Sequence, residues 1–284
     1  MDTSTVQLRN KITIRFIAGI IVISAILFLL AGSFLYWQGW IYLVVIFVPL
    51  FFAVSYFLKN DPGLLERRMK MREKEGEQKR IVILSAIIFL VGFLIPGLDY
   101  RYQWSDMPLV LVLAADVIVF LGYSISFLTL RENSYASRII EVESGQKVIS
   151  TGPYEVIRHP MYAGFLLMFL FTPLALGSYW ALVVFAPLAV LIIFRILNEE
   201  EVLSRDLAGY QEYCRKVRYR LVPGVWGTSR YSNLPVAITP AASQQLSVPL
   251  ASARSRTATL SVALSSCLSL RNRTHLSGAS GSLP

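Results

Sequence analysis

Six apolar runs, at about residues 12–35, 41–58, 81–98, 108–130, 161–176 and 181–197, constrain the fold before any motif is considered. A helix needs roughly 20 apolar residues to cross the hydrocarbon core of a bilayer, where only internal hydrogen bonds can satisfy the backbone. The first run is too long for a signal-peptide core and has no small-residue cleavage pattern, so it is expected to stay as a span. Composition agrees: 55% of the residues are apolar and 16% are charged, whereas a soluble domain carries about 25% charged residues. The expected fold is an all-α polytopic membrane protein with about six transmembrane helices. Two cysteines, Cys214 and Cys267, do not make a disulfide framework.

Charge sets the expected topology. Residues 59–80 hold Lys59, Arg67, Arg68, Lys70, Arg72, Lys74, Lys79 and Arg80, interleaved with Asp61, Glu66, Glu73, Glu75 and Glu77. Short loops rich in Lys and Arg remain cytoplasmic, which also assigns both termini to that side. The loop is expected to be a solvated, partly helical hairpin on an anionic leaflet. The turn at 99–107 has one basic residue, Arg101, and belongs outside, while Tyr36, Trp37 and Trp40 form an interfacial belt. The net charge of +9 requires no partner beyond membrane lipids, and the mixed acids speak against nucleic acid. Asp116, in the middle of the fourth run, must face protein or water, and a structural role is favoured over a chemical one. Three regions result: N-terminal transmembrane helices at 1–130, a core at 131–226, and a low-complexity tail at 227–284. The tail is rich in Ser, Thr, Ala and Leu and is expected to be disordered and unnecessary for chemistry, His275 included.

Polar chemistry gathers around the last apolar hairpin. Thr151-Gly152-Pro153-Tyr154 is a turn sequence, and His159-Pro160 opens a helix, because proline suits the first helical position. The unpaired amides of that first turn, with Arg158 and His159 beside them, suit a carboxylate or another anion. Tyr162 adds a ring and a hydroxyl, and Gly164 leaves room for close approach. A helix at 181–197 then returns the chain to Arg195, Asn198, Glu199, Glu200 and Glu201, with Arg195 and Glu199 on one face at i,i+4. Two antiparallel helices would bring the Glu cluster back to the side that holds His159. Ile139-Ile140-Glu141-Val142 is strand-like, and the basic, aromatic segment Lys216 to Arg220 suits the headgroup level. A zwitterion such as S-adenosylmethionine, with its carboxylate, ammonium, sulfonium and ribose diol, matches this set of groups. There is neither a Gly-rich dinucleotide fingerprint nor a Cys/His set with metal-ligand spacing, so no metal is expected.

The combination Gly152-Pro153-Tyr154, Arg158-His159-Pro160-Met161-Tyr162-Ala163-Gly164, Asn198-Glu199-Glu200, Leu203, Gly209-Tyr210 and Tyr213 resembles the isoprenylcysteine carboxyl methyltransferase family. The related phospholipid N-methyltransferases share the Arg-His-Pro and Glu-Glu elements. The likeness runs from about Tyr135 to Trp226. The resemblance implies a cytoplasmic cofactor pocket for S-adenosylmethionine built from Gln146, Lys147, Val148, Ile149, Tyr154, Arg158, His159, Pro160, Met161, Tyr162 and Glu199. It implies that Arg195 meets a lipophilic acceptor, prenylated or otherwise apolar, entering from the bilayer, where it could pair with the carboxylate being methylated. For an amine acceptor, Glu200 or a neighbour would take the proton. The competing expectations are a phospholipid or amine N-methyltransferase, a nicotinamide-dependent membrane reductase of the sterol-reductase kind, and a membrane scaffold without catalysis.

Overall fold

The structure, a computed structural model, describes residues 3–69, 76–136, 142 and 145–227. Among these residues the chain is helical, without strands. The helices are α1 (Thr3–Ala31), α2 (Trp37–Asn60), α3 (Pro62–Met69), α4 (Gly76–Tyr102), α5 (Leu109–Glu132), α6 (Pro160–Ala175), α7 (Tyr179–Phe185), α8 (Pro187–Asp206) and α9 (Tyr210–Lys216), with a 3-10 turn at Gly152–Glu155. Local chemistry sets several boundaries. α1 stops at Gly32, whose φ of +63° suits glycine and whose N–H donates to the Phe28 carbonyl at 3.0 Å. Asp61 ends α2 by donating its N–H to the Phe57 carbonyl at 2.9 Å, and its carboxylate accepts the Leu64 N–H at 2.9 Å, capping α3 behind Pro62.

α1, α2, α4 and α5 are each long and apolar enough to cross a membrane, as is the continuous stretch of α7 and α8; α6 is apolar but has only 16 residues. The sixth apolar run of the sequence is therefore divided at Pro187, which lacks an N–H, while Ala186 keeps right-handed helical angles and the chain continues in one direction. Large apolar side chains such as Leu29, Val110 and Val183 point outward with about 70% or more of their surface exposed. Surfaces of that kind belong against lipid. The protein is an integral membrane protein.

α5 and α6 make the closest packing. A Cβ built on Gly122 would stand 2.6 Å from the Gly164 carbonyl oxygen, and one built on Gly164 would collide with the Ser126 hydroxyl. The room that Gly164 leaves is thus filled by α5, a small-residue crossing of the membrane type. At the other end of α6, buried Asp99 accepts hydrogen bonds from the Ser105 N–H and hydroxyl, each at 2.8 Å, and from the Ser178 hydroxyl, while Ser178 also caps α7. This ties the turn after α4 to the turn after α6. Asp116 is buried among the helices, and neither of its oxygens finds a hydrogen-bond partner among the described residues.

The charged segment 59–80 is partly helical, as expected of it, with residues 70–75 outside the described residues. Its first part is α3, which buries Leu64 against Ala53 and Phe57 of α2. The strand-like stretch at 139–142 lies outside the described residues except for Val142, whose backbone is irregular. The tail beyond residue 227 also lies outside them.

Candidate active site

His159 and Glu200 meet. The N-terminal end of α6 and the C-terminal part of α8 converge, and His159 Nε2 lies 3.3 Å from Glu200 Oε1. Arg158 Nη1 approaches the same oxygen at 3.0 Å, while Arg220 Nε and Nη2 both reach Glu200 Oε2 at 2.8 Å. All four side chains belong to residues no more than 5% exposed, so Glu200 is buried, whereas Glu201 on the next position is exposed. A buried carboxylate needs such a full set of partners, since desolvation otherwise opposes its charge. Backbone bonds reinforce the junction: the Arg158 and His159 N–H groups donate to the carbonyls of Tyr219 and Arg220 at 2.8 and 3.0 Å. The Arg220 guanidinium also stacks on Trp226, 4.9 Å from the ring centroid. Residues 217–226 thus strap the start of α6 to α8.

Here the site differs from the sequence expectation. Arg158, assigned there to a bound anion, spends its guanidinium on an internal carboxylate and its amide on Tyr219. Glu200 faces away from the neighbouring cleft. The adjacent Glu199 faces the other way and accepts a 2.6 Å hydrogen bond from the Tyr162 hydroxyl, which in turn accepts one from Arg195 Nε at 3.0 Å. Successive residues on a helix diverge by about 100°, so two neighbouring acids serve two different neighbourhoods. Arg195 and Glu199 share a face, as their spacing predicts, and are joined through Tyr162.

A cleft of about 860 Å³, the space at its open mouth included, is lined by every residue that the sequence assigned to a cofactor: Gln146, Lys147, Val148, Ile149, Tyr154, Arg158, His159, Pro160, Met161, Tyr162 and Glu199. Arg195 lines it as well; Glu200 does not. Asn133, Tyr135, Leu203, Leu207, Tyr210 and Tyr213 complete the wall. Of these, Tyr135, Leu203, Tyr210 and Tyr213 stood out in the sequence only through the resemblance; Asn133 and Leu207 carried no signal. Tyr154 is held on two sides, its hydroxyl accepting from Asn133 Nδ2 at 3.0 Å and its carbonyl from the Tyr213 hydroxyl at 2.8 Å. Burial pushes the Tyr154 hydroxyl up to about 12 and raises that of Tyr213, so both remain protonated donors at neutral pH. Glu132 holds the preceding turn by accepting from the Thr151 hydroxyl. Burial also raises the Cys214 thiol, which contacts Arg158 Nη1 at 3.3 Å.

A second, mostly apolar cavity of about 1210 Å³, again with its open mouth, lies among α4, α6 and α8. Met161, Tyr162 and Arg195 belong to both cavities. Residues 110–208, which span α5 to α8, match the phospholipid methyltransferase family. Over this part the chain is similar to methyltransferases. It is 27% identical over 197 residues to methanethiol S-methyltransferase 2 of Bradyrhizobium diazoefficiens, covering 63% of this chain and 72% of that protein. It is also 27% identical over 139 residues to a Delta(14)-sterol reductase of Mus musculus, covering 45% of this chain but only 33% of the reductase. Among solved structures, the eukaryotic intramembrane Ras methyltransferase ICMT (isoprenylcysteine carboxyl methyltransferase) is similar at a TM-score of 0.40 and 16% identity, over 68% of this chain and 76% of that one.

Proposed function

We infer that this protein transfers a methyl group from S-adenosylmethionine to a carboxylate on a lipophilic acceptor of the isoprenylcysteine kind. The observation that carries this reading is the shared wall: Met161, Tyr162 and Arg195 stand between a polar, aromatic cleft and an apolar cavity. The chemistry of the first cleft fits the cofactor. Lys147 and His159 suit its carboxylate, Glu199 its ammonium or ribose diol, and Tyr154, Tyr210, Val148 and Ile149 its flat base. Bound there, the cofactor would supply an electrophilic methyl on its sulfonium, and a carboxylate acceptor, already an anion, would need no base from the protein to receive it.

The protein's task is then orientation. Arg195 pairs with the acceptor carboxylate, and the Tyr162 hydroxyl holds Arg195 in line with Glu199. Ile81, Phe89, Phe165, Phe169, Leu188 and Ile192 accommodate the acceptor's chain. Glu200 keeps Arg158 and His159 in place and does not touch the reacting atoms. The match to the phospholipid methyltransferase family supports one second reading, methylation of a phospholipid; for an amine head group, Glu199 is the acid facing the cleft that could take the proton. The basic segment at 59–80 supports a cytoplasmic position for the site.

A methyl-transfer screen tests the reading. Purified protein in nanodiscs receives labelled S-adenosylmethionine with a farnesylcysteine analogue, phosphatidylethanolamine or membrane lipid extract. The expected product is a base-labile methyl ester; label found only as a base-stable N-methyl amine would transfer the assignment to the second reading.

A further inference from the structure

We propose that Arg68 is a second acceptor-recognition residue, opposed to Arg195 where the two cavities meet, and that the acceptor is an amphiphile with an anionic head group; this rests on the methyl-transfer reading above. The first support is how α3 is held. Asp61 caps it, Leu64 at 1% exposure anchors it against α2, and Arg68, four residues on, lies on the same inward face. Its guanidinium reaches α6, with Nη1 3.3 Å from Met161 Sδ. Second, Met161 belongs to the wall shared by the cavities, and both Arg68 and Arg195 line the apolar one. Third, the charge of Arg68 is felt by the Tyr154 hydroxyl on the polar side, where it opposes the upward push of burial.

A cavity whose lining is mostly apolar but includes two guanidiniums is a poor site for a wholly apolar guest. Their planar forks match the paired oxygens of a carboxylate or a phosphate, and the hydrocarbon walls then take the tail. The acidic residues beside Arg68 in sequence mask this role, because the segment otherwise has the composition of a solvated loop.

Binding measurements on the full-length protein in neutral nanodiscs test the clamp, using N-acetyl-S-farnesylcysteine, its methyl ester and lysophosphatidic acid as probes. Wild type is expected to hold at least one of the two anions about tenfold tighter than the neutral ester, a difference of about 1.4 kcal/mol. Arg68→Gln should bring that preference below about threefold, while Arg68→Lys, which keeps the charge, should retain part of it. A preference for the farnesylcysteine assigns a carboxylate head group, and one for lysophosphatidic acid a phosphate. Equal binding of ester and anions by wild type, or an undiminished preference in Arg68→Gln, overturns the clamp. S-adenosylmethionine titrated into the same samples separates the two claims: failure of wild type to bind it defeats the methyl-transfer reading, whereas loss of the anion preference alone defeats only the clamp.

Discussion

Glu199 and Glu200 are neighbours of identical chemistry with different tasks. Glu199 faces the cleft through Tyr162, whereas Glu200 is enclosed by Arg158, His159 and Arg220. Replacing Glu200 with Ala leaves two guanidiniums buried without their anion, and is expected to destabilise the fold by about 3–5 kcal/mol, seen as a large drop in thermal midpoint in detergent; Arg220→Ala should cost less, because Arg158 still pairs with Glu200. Glu199→Gln keeps the shape and should lower the midpoint little while weakening cofactor binding. Arg195→Ala is predicted to raise the acceptor KM by at least about tenfold, measured in the methyl-transfer assay; an unchanged KM would remove Arg195 from acceptor binding. Cys214 provides a separate check, since a thiol raised by burial has little thiolate at neutral pH. Iodoacetamide should label it slowly in folded protein and quickly after denaturation. The role of Glu200 could not be seen in the sequence, because it depends on helix rotation and on Arg220, which belongs to a segment that sequence pattern placed at the headgroups.

At the scale of elements, the apolar runs were legible because bilayer thickness imposes one length on every span. The helices extend past most of those runs, for example to Tyr102 in α4, since polar residues at a span's end continue a helix without cost to the hydrocarbon core. The Arg158-to-Gly164 motif was also legible as a helix start. What Gly164 accommodates was not: it is α5, not a ligand. Gly164→Val is accordingly expected to force the crossing apart, at about 1–3 kcal/mol or more, with a lower thermal midpoint and cofactor affinity reduced only as the fold is lost. The inward face of α3 was concealed by composition, because eight residues with mixed charges do not reveal that one leucine is buried.

For the whole molecule, the decisive geometry is the return of α8 to the start of α6. Helix length alone makes this return plausible, and the 3.3 Å approach of His159 to Glu200 realises it. The polar cleft then opens beside an apolar cavity, with a wall of three residues between them. Such an arrangement allows a water-soluble methyl donor and a bilayer-borne acceptor to approach from different sides. The most direct test is calorimetric titration of purified full-length protein with S-adenosylmethionine, wild type beside His159→Ala. The account predicts saturable binding by wild type and a loss of at least about tenfold in the variant; binding of reduced nicotinamide with none of S-adenosylmethionine would contradict it.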